Sequence, residues 1–153
     1  MKKLALVTVS LIVSAACAPE KKQNPAPVKT SIIGTWKLIT GITIKDNDTI
    51  ITDYTKDQEM IKIINETHFA FLRHDKNTSN DSTAVFAAGG GPYTIEDNIY
   101  TEYLEYCNYR AWENNSFSFE YSIHNDTLTT IGVEKIDKIG VNHINMEKLV
   151  RLK

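Results

Sequence analysis

The chain has 153 residues, with 17 basic against 19 acidic side chains and 42% hydrophobic content. That length suits one domain with a real core. The near-balanced charge, with no basic block beyond Lys21-Lys22, argues against nucleic acid as a partner.

From the start, Met1-Lys2-Lys3 is positive, Leu4 to Val13 is apolar, and Ser14-Ala15-Ala16-Cys17 reads as a small-residue cleavage site. This is the layout of a bacterial export signal, and the cysteine at the cut resembles a lipoprotein signal in particular. The apolar run is shorter than the roughly twenty residues a bilayer-crossing helix needs. Residues 1–16 are therefore expected to be a signal peptide, and Cys17 a lipid anchor in the cell envelope, at the outer membrane. Several acyl chains on one residue make such an anchoring stable.

Residues 17–30 carry three of the four prolines and no aromatic side chain, a composition that favours an extended tether. Removing Lys2 and Lys3 leaves 15 basic against 19 acidic residues, so the mature chain is acidic. With Cys17 acylated, no intramolecular disulfide can form, and Cys107 reads as a small buried core residue.

The folded part, 31–153, alternates with period two, the signature of strands with one buried face. Ile32, Gly34, Trp36, Leu38, Thr40, Ile42 and Ile44 are expected to share a face of the first strand. Further strands are predicted at Glu59–Asn65, Thr67–His74, Ser82–Ala88, Pro92–Glu96, Ile99–Asn108, Ser116–His124 and Thr127–Val133. The last strand groups Ile144, Met146, Val150 and Leu152 on one side. Asn/Asp clusters between them form turns. Gly89-Gly90-Gly91 before Pro92 reads as a kink between sheet regions. Such spacing predicts an all-β, single antiparallel up-and-down barrel of about 8–9 strands, with a β-sandwich as the alternative.

Gly34-Thr35-Trp36, followed at the far end by Arg151, resembles the opening Gly-x-Trp and closing Arg of lipocalins. Met60 to Ile64, Thr67 to Phe71, Gly89 to Ile95 and Tyr100-Thr101-Glu102 together resemble lipocalin-like lipoproteins of Bacteroidetes, the DUF4488-type domains. The resemblance implies a calycin-like barrel in which Arg151 packs on Trp36, and a small, largely apolar ligand held inside. Strand parity offers Phe69, Phe71, Phe86, Tyr103, Phe119 and Tyr121 as lining, with Arg73 or Glu102 as orienting polar groups.

No residue pattern points to catalysis, to a cofactor or to a metal. His68, His74, His124 and His143 are scattered without zinc spacing, and Ser116 and Ser118 sit in no nucleophile elbow. The other function class is a structural or interaction lipoprotein, docking another envelope protein through the Asp75–Asp81 and Tyr109–Asn115 loops. Arg110 and Trp112 would be the anchors of that contact, with burial of Trp112 as a barrel lid the alternative.

Overall fold

The computed structural model describes residues 31–76 and 84–153. The expected signal peptide, Cys17, the expected tether and most of the Asp75–Asp81 loop lie outside the described residues. Ten strands follow one another: β1 (Gly34–Lys45), β2 (Asp48–Asp53), β3 (Gln58–Ile64), β4 (His68–Asp75), β5 (Phe86–Glu96), β6 (Ile99–Leu104), β7 (Tyr106–Cys107), β8 (Asn115–His124), β9 (Thr127–Ile136) and β10 (Val141–Arg151). One-turn 3₁₀ helices occupy Arg110–Trp112 and Asp137–Ile139.

The turns have a chemical cause. Asp46-Asn47 and Asn125-Asp126 hold positive φ at both central positions. That geometry matches the right-handed twist of two-residue hairpins, and Asn and Asp tolerate it better than other side chains. These two turns send β2 back along β1 and β9 back along β8, and β10 returns to pair with β1 from Trp36↔Arg151 to Ile44↔Ile144. The result is a closed antiparallel barrel of eight strands, β1, β3, β4, β5, β6, β8, β9 and β10, with β2 and β7 as extra strands. Closure satisfies the edge hydrogen bonds that an open sheet would expose.

Two features of the strands differ from the sequence expectation. The first is a bulge in β1 between Leu38 and Thr40, where Ile39 is the extra residue. It reverses the inward face. Trp36 and Leu38 are buried, but beyond the bulge Gly41 and Thr43 point into the barrel in place of Thr40, Ile42 and Ile44. At the same place β1 exchanges β3, its neighbour over Gly34–Lys37, for β2 over Thr40–Lys45. Among the described residues β2 pairs with no other strand, so beyond β3 the wall continues as β2, whose far edge is free.

The second is β10, whose inward residues are His143, Asn145, Glu147 and Leu149. Ile144 and Met146 point outward, where register aligns them with Val133 and Ile131 on β9 and with Ile44 and Ile42 on β1. Half of this barrel is polar within and apolar without. The triple glycine also lies inside one continuous strand, β5, instead of separating two. A Cβ on Gly91 would run into the carbonyl oxygen of Tyr103, so glycine is what lets β5 pass this close to the chain leaving β6.

The apolar core fills the other half. Trp36, Leu38, Ile64, Phe69, Tyr100, Leu128 and Leu149 are buried there, with Phe69 edge-on to Tyr100 at 6.4 Å between ring centres. Trp36 donates its indole N–H to the Ile32 carbonyl at 2.7 Å, and the Arg151 guanidinium carbon lies 4.0 Å over its ring. Arg151 also donates to the carbonyls of Ile33 at 2.7 Å and Ser31 at 2.6 Å, which ties the chain's entry into the barrel to its last strand. Gly34, at φ +147°, leaves room for that guanidinium.

Candidate functional site: a charged cavity in the open half of the barrel

Beyond this plug the interior is not filled. A cavity of about 410 Å³ lies there, reaching Thr52 on β2 and Tyr54 just after it. Met60, Phe71, Leu104, Trp112, Phe117 and Phe119 form its apolar walls, and Lys62, Arg73, Glu102, Glu134, His143 and Glu147 its charged ones. The volume is within the roughly 300–1,000 Å³ common for small-molecule sites.

The charges are arranged in three groups. At the junction with the plug, Lys62 Nζ lies 2.9 Å from Glu102 Oε1 and 2.9 Å from Glu147 Oε2. Lys62 and Glu102 are 4% and 7% exposed, so this is a buried ion triad. Burial alone would lower the Lys62 ammonium, but Glu102 and then Glu147 more than offset it and hold it above its ordinary value. Burial raises the Glu102 carboxyl, and Lys62 reverses only part of that. The Tyr100 hydroxyl is buried against Glu102 without a hydrogen bond of good geometry, and it is pushed far up by burial and then by that carboxylate.

Further round the wall, Glu134 accepts from His143 Nε2 at 2.9 Å and from the Asn145 amide at 2.9 Å. Its carboxyl is raised, first by burial, with Asn145 and His143 acting against the rise. On the opposite side Arg73 stands nearly alone. Its Nη1 is 3.4 Å from the Tyr54 hydroxyl, its Nε is buried with no hydrogen-bond partner, and no carboxylate among the described residues pairs with it. Tyr54 is itself placed by the bulge: its N–H donates to the Ile39 carbonyl at 3.0 Å, and its ring covers Gly41.

Of the lining residues expected from sequence, Phe71, Arg73, Glu102 and Phe119 are in the cavity wall. Phe69 and Tyr121 point inward but pack in or against the core, away from the cavity. Two expectations are corrected. Phe86 is 56% exposed and Tyr103 is 41% exposed, because the neighbours that alternate with them, Ala87, Glu102 and Leu104, take the inner face. Glu102 and Tyr103, adjacent in an extended strand, cannot both face the lumen. The lumen carries more charge than the Arg73 and Glu102 expected there, since Lys62, Glu134 and Glu147 line it too.

Sequence reasoning missed Lys62, Glu134, His143, Asn145 and Glu147. One signal was present: Lys62 shares its parity with Met60 and Ile64, both buried. Of the two placements weighed for Trp112, outward anchor and barrel lid, the structure has it lining the cavity, its ring 5.8 Å from that of Phe117. Arg110 is exposed and pairs with Glu113 at 3.1 Å. Cys107 is a buried free thiol whose backbone N–H is held by Glu113 at 3.0 Å.

No protein-family model and no curated protein matches the chain. Among solved structures, it is similar to a siderocalin described as "The Siderocalin Ex-FABP functions through dual ligand specificities". The identity is 11%, the match covers 78% of this chain and 73% of that one, and the TM-score is 0.46.

Proposed function

We propose that this protein binds a small amphipathic molecule in the open half of its barrel, without transforming it. The carrying observation is the cavity of about 410 Å³, whose wall interleaves apolar and charged side chains. A largely apolar ligand fits this lining less well than one with polar groups, because the buried ions would lose water without gaining partners. Each lining carboxylate already holds a partner at 2.9 Å, an arrangement that favours holding a ligand over acid–base chemistry. From the export-signal pattern of residues 1–16 and the cysteine at the cut, we further propose that the protein works in the cell envelope, tethered through acyl chains on Cys17.

Native mass spectrometry of protein purified from its own host tests the binding reading. A co-purifying mass that disappears in Ala87→Trp, which would fill the cavity beside Arg73, is the expected result. A bare protein mass from host and variant alike counts against it. Cys17→Ala is expected to move the protein from the membrane to the aqueous fraction.

A second reading, docking of another envelope protein, draws on the outer stripe of Ile42, Ile44, Ile131, Val133, Ile144 and Met146, in which Val133 is 54% exposed. It no longer draws on Trp112. Val133→Glu would abolish such a complex and leave cavity binding unchanged.

A further inference from the structure

Resting on the binding reading above, we infer that the ligand carries an anionic group and that Arg73, assisted by the Tyr54 hydroxyl, receives it in the cavity. The two charge signs in the cavity are not in equivalent states. Glu102 and Glu147 share Lys62, and Glu134 is engaged by both His143 and Asn145. Arg73 has five N–H donors, yet its one hydrogen bond in the described residues is the 3.4 Å contact with a neutral phenol. Its Nε is shut off from solvent without a partner. A half-buried guanidinium in that condition is the polar group with most to gain from an incoming oxyanion, which it can hold through two parallel N–H donors.

The position fits as well. Arg73 pairs across β3 and β5 with Met60 and Ala87, both cavity-lining, and Tyr54, just after β2, lines the cavity as well. An anion bound there would leave its apolar portion toward Phe71, Trp112 and Phe119. A cationic head would have to share carboxylates that each already hold a donor at 2.9 Å. The recognised class is therefore an aromatic or aliphatic carboxylate, or a molecule with a comparable oxyanion, on a body of roughly a dozen heavy atoms.

Three probes of similar size separate this claim from the cavity reading: 4-phenylbutyrate, 4-phenylbutanol and 4-phenylbutylamine, titrated into the protein by NMR. The carboxylate is expected to bind at least tenfold tighter than the alcohol or the amine. Arg73→Gln should bring that preference below twofold while alcohol binding stays within twofold of the parent. Tyr54→Phe should weaken the carboxylate a few-fold. Should Arg73→Gln fail to fold, Arg73→Lys keeps the charge without the fork and should retain only part of the preference. Equal binding of alcohol and carboxylate to the parent, or an unchanged preference in the variants, overturns the anion assignment and leaves the cavity reading standing. Binding of none of the three overturns both.

Discussion

Replacing Lys62 by Met tests whether the buried triad is organised as described. The substitution removes an ammonium that makes two 2.9 Å ion pairs and leaves Glu102 and Glu147 facing one another in the interior. Breaking a buried ion pair from one side costs about 3–5 kcal/mol, a large share of the roughly 5–15 kcal/mol that stabilises a domain. The cost should depend on pH, because the stranded carboxylates can take up protons. Each proton bound by the folded but not the unfolded chain changes stability by about 1.4 kcal/mol per pH unit. Two such groups give a slope of up to about 2.7 kcal/mol per pH unit, with stability recovering as pH falls. Urea unfolding at pH 7 and pH 5.5 reads both quantities. The triple variant Lys62→Met, Glu102→Gln, Glu147→Gln should regain most of the loss, since exchanging an entire buried ion group is often close to neutral. A loss under about 1 kcal/mol at pH 7, or one that does not change with pH, would refute the triad's energetic role.

Other outcomes follow from the same structure. Trp36→Ala empties a fully buried site and should cost about 3–5 kcal/mol in denaturant unfolding; Arg151→Gln, which loses the indole contact and two carbonyl bonds, should cost about 1–3 kcal/mol. Gly91→Ala should lower the melting temperature through collision with the Tyr103 carbonyl, whereas Gly140→Ala, with nothing within 4 Å, should suffer only from its φ of +67°. In the parent, Glu102 and Glu134 are raised above their ordinary 4.5, so the folded state holds more protons than the unfolded one just above that value. Their contribution is present below pH 4.5 and is lost as pH rises through the raised values; Glu134→Gln should flatten that part of the stability profile. Phe86→Ser and Tyr103→Ser, both on the outer surface, should leave probe affinity within twofold.

The barrel was legible because tight Asn/Asp turns and period-two runs are local signals, and β8 shows this best: Phe117 and Phe119 are buried while Ser118 and Glu120 are not. The open half was not legible, for two physical reasons. The bulge at Ile39 reverses parity within one strand, and no local feature of Leu38-Ile39-Thr40 marks it. In β10 the apolar set Ile144 and Met146 lies outside and the polar set His143, Asn145 and Glu147 inside, so assigning the greasy face inward chooses the wrong side. Hydrophobic patterning identifies a dry core; it misreads a wet cavity whose charges are satisfied by partners up to 85 residues away, as in Lys62 with Glu147. Glu102 was found because it follows Tyr100 in a strand of mixed polarity, whereas its partner Lys62 gained meaning only once β3 and β6 faced each other across the lumen.

Chemical-shift mapping during a 4-phenylbutyrate titration tests the central claim most directly. The account predicts perturbations at Met60, Ala87, Leu104 and the Trp112 indole N–H, with Ile131, Val133 and Ile144 on the outer stripe unmoved. Perturbations confined to that outer stripe, or none at saturating probe, would contradict it.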